Sequence, residues 1–124
     1  MAKTPAEKLQ QAVSKILEDY AHDATMTVKD LTRQFAKKGA QAVKSASAQS
    51  YGGTGKYARG WTSTIEETRL GATGIIHNKT PGLPHLLENG HAKRGGGRVS
   101  GRTHIAPVEE ELVQAFEKAV QNDL

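Results

Sequence analysis

Trp61-Thr62-Ser63-Thr64-Ile65-Glu66-Glu67-Thr68 and, a few residues on, Gly74-Ile75-Ile76-His77-Asn78 decide the fold class of this 124-residue chain. Both runs are rich in β-branched and aromatic residues with partial alternation, as half-buried strands are. The link Arg69-Leu70-Gly71-Ala72-Thr73 between them suits a hairpin. A small antiparallel β-sheet is therefore expected over about residues 57–80. On both sides of it the apolar periodicity is helical, which predicts an α+β fold.

Upstream, Thr4-Pro5-Ala6-Glu7 reads as a helix start. Thr4 is the N-cap, Pro5 takes the first helical position where its missing N–H costs nothing, and Glu7 closes a capping box. Leu9, Val13, Ile16, Leu17 and Tyr20 follow at spacings of three and four, forming one apolar stripe. His22-Asp23-Ala24-Thr25 weakens the pattern. Thr27-Val28-Lys29-Asp30 then offers a second, poorer capping box before Leu31, Phe35, Ala36, Ala40 and Val43. Residues 1–47 are thus predicted to be an N-terminal helix with a kink, or a helix pair with a break, near residues 22–27. From Ser45 to Tyr57 the chain turns small and polar, with Gly52, Gly53 and Gly55, and is expected to be a loop.

Downstream, Pro81, Gly82 and Pro84 close the second strand, and Leu83 to Asn89 suits one helical turn ended by Gly90. Pro107 opens a C-terminal helix over 107–122, striped by Val108, Leu112, Ala115, Phe116, Ala119 and Val120. Its Glu109, Glu110 and Glu111 favour the positive end of the helix dipole. Twelve of the thirteen glycines lie between Gly52 and Gly101, so a helical beginning and a helical end flank a glycine-punctuated middle.

The length suits a single domain spanning 1–124. Hydrophobic residues are 36% and aromatics 5% of the chain, so its own core is expected to be modest and partners have apolar surface left to cover. Cysteine is absent, which excludes disulfide frameworks, thiolate metal sites and cysteine nucleophiles. Met1-Ala2-Lys3-Thr4-Pro5 leads into a polar helix, so no signal peptide is expected, and no apolar run approaches the roughly 20 residues of a membrane span. A cytoplasmic protein with no membrane association follows as the expectation.

The densest chemistry lies in residues 85–107, with three of the five histidines and five of the thirteen glycines. Between His91 and His104 stand Lys93, Arg94, Arg98 and Arg102 with no acidic residue; these are four of 17 basic residues, leaving 13 against 13 acidic ones elsewhere. The net charge of +4 therefore sits in one long basic Gly-rich loop, expected to be flexible over 91–104. Four cations on a glycine-rich backbone can approach phosphates, which makes this loop the nucleic-acid candidate. The plainer account is a solvated loop kept soluble by its charge.

His77, His85, Glu88, His91 and His104 raise a second candidate, a His/Glu metal-dependent enzyme. Its support is thin, because the His-Glu-x-x-His helix pattern is missing and a triglycine separates His91 from His104. Capping or bonding of a turn explains His85 and His91 as well. A histidine nuclease is weaker still, since the last helix has no histidine, and no Ser-His-Asp order, phosphate loop or dinucleotide fingerprint is present. Tyr57 and Trp61 as stacking rings, with Lys56 and Arg59 beside them, could bind single-stranded nucleic acid. In a chain so poor in aromatics, Tyr57 and Trp61 are better read as anchors of the core.

Four strings together resemble one family: Thr54-Gly55-Lys56-Tyr57-Ala58-Arg59-Gly60-Trp61, Ile76-His77-Asn78-Lys79, His85-Leu86-Leu87-Glu88-Asn89-Gly90-His91-Ala92, and Gly96-Gly97-Arg98-Val99-Ser100-Gly101-Arg102-Thr103-His104-Ile105-Ala106-Pro107. In order and spacing they are similar to the gene-product-ten family of Hong Kong 97-type long-tailed bacteriophages, a minor tail or tail-completion component. The resemblance spans about residues 50–120, with the N-terminal helix alike only in character; Thr103 stands where proline is expected. It implies a non-enzymatic virion protein of the neck or tail top, assembled in the host cytoplasm as a homo-oligomeric ring around the DNA path. Its implied partners are the head connector and the tail-terminator or tail-tube proteins, with non-specific contact to packaged DNA. No cofactor, metal or catalytic residue is implied. Lys93, Arg94, Arg98 and Arg102 become the assembly or DNA-facing loop, and Tyr57, Trp61, His91, His104 and Pro107 its structural anchors.

Overall fold

The computed structural model describes residues 4–124, in the order α1 (Pro5–Ser50), α2 (Lys56–Arg59), β1 (Trp61–Glu67), β2 (Ala72–Asn78), α3 (Leu83–Asn89), β3 (His91–Ala92), β4 (Arg98–Val99) and α4 (Ala106–Asp123). The fold is α+β: a long N-terminal helix, a two-stranded antiparallel sheet and a C-terminal helix, with a second, minimal hairpin between them. At the start of α1 the expected capping box forms, with the Thr4 hydroxyl accepting from Glu7 N–H and the Glu7 carboxylate accepting from Thr4 N–H.

Four expectations are narrowed or corrected. First, of the two alternatives, a single helix or a helix pair, the single helix holds: α1 runs without a break through residues 22–27. Between Pro5 and Gly39 there is neither proline nor glycine, so nothing removes an i→i−4 bond, and Asp23, Thr25 and Thr27 only lower propensity. Second, the expected loop from Ser45 begins only at Tyr51, because Ser47 turns fully inward and accepts from Trp61 Nε1 at 2.8 Å. Tertiary packing there overrides a weak helical sequence. Third, the sheet starts at Trp61, and Tyr57 rides on the single turn of α2. Ala72 and Thr73 lie within β2 instead of the link, paired with Glu67 and Glu66. Fourth, the basic segment is not a featureless loop: His91 pairs with Val99 and Ala92 with Arg98.

The β1–β2 sheet, α2 and α4 pack on the C-terminal half of α1. Leu31, Ala36, Ala40, Val43, Ala58 and Trp61 form the buried apolar core. Its small residues let other elements come close. A Cβ added to Gly74 of β2 would stand 3.1 Å from the Ala36 methyl, and one on Gly39 would run into Ile76 of β2 and Leu112 of α4. Phe116 of α4 meets Phe35 edge to face at 5.4 Å between ring centres. Since Leu112 faces Gly39 and Phe116 faces Phe35, α4 runs antiparallel to α1. Arg33 of α1 bridges Asp30 on its own helix and Glu67 of β1. As expected, α3 ends at Gly90, which takes φ +83°, a value that favours glycine. Among the described residues, no helix is long and apolar enough to cross a membrane.

The other half of α1 extends beyond the reach of α4 and, among the described residues, is exposed along its length. Leu9, Ile16, Leu17 and Tyr20 are 63–66% exposed, and every residue from Thr4 to Asp23 is exposed. About 20 residues of helix, some 30 Å at 1.5 Å per residue, therefore project as an arm.

Candidate assembly and nucleic-acid interface

The C-terminal end of α1, α2, α3 and the approach to α4 converge on a cluster of aromatic rings around His104. Tyr51 and Tyr57 each lie edge-on to the His104 ring, at 5.3 and 5.6 Å between centres, and Trp61 lies edge-on to Tyr57 at 5.9 Å. His104 is 2% exposed and bonded at both nitrogens. Nδ1 is 2.7 Å from the Arg102 carbonyl and 3.0 Å from Glu88 Oε1, both of them acceptors, so Nδ1 carries the hydrogen. In the neutral ring Nε2 then accepts from the Tyr57 hydroxyl at 2.7 Å. Burial pushes the Tyr57 phenol above its ordinary pKa, and the nearby Glu88 charge adds to the rise.

Glu88 is the cap of α4. Ile105, at the N-cap position, supplies no side-chain bond, so the first amides of the helix need an acceptor from elsewhere. One carboxylate oxygen of Glu88 accepts from His104 and Ile105 N–H at 2.7 and 2.9 Å, and the other from Ala106 N–H at 3.0 Å. Pro107 follows as the second helical residue, a place where a missing N–H is tolerated. Burial works to raise the Glu88 pKa, but the three backbone donors outweigh it and hold the carboxyl below its ordinary value. The helix dipole acts in the same direction.

A second set of bonds ties the glycine-rich segment to this frame. The Tyr51 hydroxyl donates to the Leu87 carbonyl and accepts from Arg102 N–H. Asn78 donates to the Tyr57 carbonyl at 2.9 Å and accepts from Thr80 N–H. The backbones at Gly90 and Gly101 cross so closely that a Cβ on Gly90 would strike the Val99 carbonyl and one on Gly101 the Glu88 carbonyl.

The four predicted cations divide into two pairs. Arg102 donates to the Ser50 carbonyl at 2.6 Å and lies over the Tyr51 ring, so it holds the C-terminal end of α1. Arg98 donates to the Asn89 carbonyl at 2.9 Å and holds the end of α3. Lys93 and Arg94 sit exposed at the turn of the β3–β4 hairpin, and their side chains meet no partner among the described residues. Of the anchors, Tyr57, Trp61, His104 and Pro107 all enter the frame, whereas His91 is half-buried on β3 with Nδ1 unbonded among the described residues.

Three of the five residues weighed for metal binding are spent otherwise. Glu88 caps α4, His104 is bonded at both nitrogens, and His85 Nδ1 meets the Asn89 amide at 3.1 Å. Among the described residues, no group of three or more His, Asp or Glu is placed to hold a metal ion. Sequence reasoning missed Ser47 and Tyr51, named Asn78 only as part of a string, and had no role for Glu88 as a distant cap. The one signal for Glu88 was the lack of a capping residue before Pro107.

Compared with known proteins, the chain matches no family model, no curated protein and no solved structure.

Proposed function

We propose that this chain is a structural component of a bacteriophage virion, at the neck or tail top, that completes the tail and joins it to the head as a homo-oligomeric ring around the DNA path. One observation carries this: the four strings that resemble the tail-completion family bond to one another. Asn78 holds Tyr57, Tyr57 holds His104, and Glu88 holds His104, Ile105 and Ala106. The most distinctive residues are thus used as framework, which suits a part that must hold its shape among neighbours better than an enzyme, whose distinctive polar groups face a substrate. A small core agrees with a subunit completed by its assembly. Head-to-tail contacts between such subunits close into a ring when the rotation closes. The head connector and the tail-terminator or tail-tube proteins are its proposed neighbours.

The decisive experiment is electron cryo-microscopy of particles made with and without the protein, with complementation by the wild-type chain. Full heads and separate, unjoined tails in its absence are the expected result. Normally joined particles would overturn the proposal.

Non-specific contact with packaged DNA would fall to Lys93 and Arg94, since Arg98 and Arg102 are engaged within the fold. With two phosphate contacts per chain, log K against log[salt] should have a slope of about −2 for the isolated subunit. A slope near −4 would show that all four cations bind phosphate.

A further inference from the structure

The geometry points to a second copy of this chain as the occupant of the α1 arm, with the two arms packed antiparallel. This pairing stands apart from the phage proposal and rests on the arm alone. Leu9, Val13, Ile16 and Tyr20 follow spacings of four, three and four, the a/d seam of a two-helix coiled coil, and all four are exposed. In an antiparallel pair a positions meet d positions, so Val13 packs on Ile16 of the second copy and Leu9 on Tyr20. Both layers share one centre, between Ser14 and Lys15. The seam is thus complementary to its own reverse.

The edges of the seam agree. Gln10, Leu17 and Ala24 flank one side and Ala12 and Asp19 the other, so Asp19 of one copy comes beside Ala12 of the other and no like charges meet. Lys15 already pairs with Asp19 on its own helix at 3.7 Å. At roughly 60–120 Å² of apolar surface per large side chain, Leu17 and the four seam residues of both copies bury about 600–1,200 Å². With the polar third that accompanies a homodimer interface, the total reaches about 900–1,800 Å², the range of a specific contact.

The sequence of α1 argues against the parallel alternative. Past Tyr20 the heptad positions that continue the seam are Asp23, Thr27, Asp30, Gln34, Lys37 and Gln41, all polar and all but Thr27 exposed, while α4 lies to one side of that face, on Phe35 and Gly39 through Phe116 and Leu112. A parallel partner would bring Asp23, Asp30 and Lys37 each against its own copy, like charge on like. An antiparallel partner lies beside residues 5–24 only, and its remaining chain leads away past Thr4.

The absence of cysteine makes the test clean. Sedimentation of the full chain over a micromolar concentration series should show a monomer–dimer equilibrium, weakened about tenfold or more by Ile16→Asp, which puts a charge into the seam. Glu18→Lys, on the opposite face of the arm, should leave the equilibrium unchanged. Leu9→Cys and Tyr20→Cys chains, oxidised singly and mixed, report the direction directly. A disulfide formed mainly in the mixture supports antiparallel pairing. Cross-linking of Leu9→Cys with itself, or a wild-type monomer at every concentration, overturns it, and neither result touches the outcome of the particle experiment.

Discussion

The two halves of α1 carry apolar residues at comparable density and meet opposite surroundings. Leu31 and Val43 are 6% and 3% exposed, while Leu9 and Ile16 are each 66% exposed. What separates them is the size of the residues between. In the buried half Ala36, Gly39 and Ala40 make a shallow surface onto which Gly74 and Leu112 can settle. In the arm the large residues stand proud at coiled-coil spacing, a surface made for another helix. Periodicity identifies a face; the volume of its residues says whether the chain itself can cover it.

The difference can be broken at the body, where effects should be largest. Trp61→Ala removes the largest buried ring and its bond to Ser47, and should lower stability by about 3–5 kcal/mol in denaturant unfolding. An unchanged midpoint would place Trp61 outside the core. Glu88→Gln keeps the shape but loses the charge that three amides share, and should cost about 1.5–3 kcal/mol.

Its pH dependence has a definite sign. Because folding lowers the Glu88 pKa, its contribution is complete above the ordinary carboxyl value of 4.5 and is lost as the pH falls through the lower, folded-state value. Wild type should thus lose stability in acid more steeply than Glu88→Gln. Parallel acid profiles for the two would refute the capping role.

Smaller effects sharpen the division among the cations. Arg102→Ala, losing its bond to the end of α1, should cost about 1 kcal/mol, while Lys93→Ala with Arg94→Ala should change the melting midpoint by less than about 0.5 kcal/mol equivalent. Charge reversal at Arg98 and Arg102, which removes both helix-end bonds, should destabilise the fold measurably. Equal effects for the two pairs would mean that Arg102 is not a staple.

Much of the frame was legible in the residues themselves. Thr4, Pro5 and Glu7 announced the start of α1, and Gly90 announced the end of α3, because caps act through local chemistry. The unbroken middle of α1 was not legible. Polar residues there lower propensity without removing any backbone bond, and a pattern cannot show which side prevails. Glu88, weighed only as a metal ligand, was not legible as a cap because its partners lie 16–18 residues away, and Ser47 escaped notice because a small hydroxyl matters only once Trp61 reaches it. The cations were recognised as a group by their spacing; only the fold divides them into two that hold helix ends and two that face solvent.

Amide hydrogen exchange along α1, measured at a dilution where the arms are unpaired, tests most directly whether one helix serves two purposes. Amides from about Leu31 to Ser47 should exchange only with global unfolding, and those from Lys8 to Asp23 should exchange orders of magnitude faster through local fraying. Uniform protection along the whole of α1 would contradict the account, since it would require the arm to be covered by its own chain.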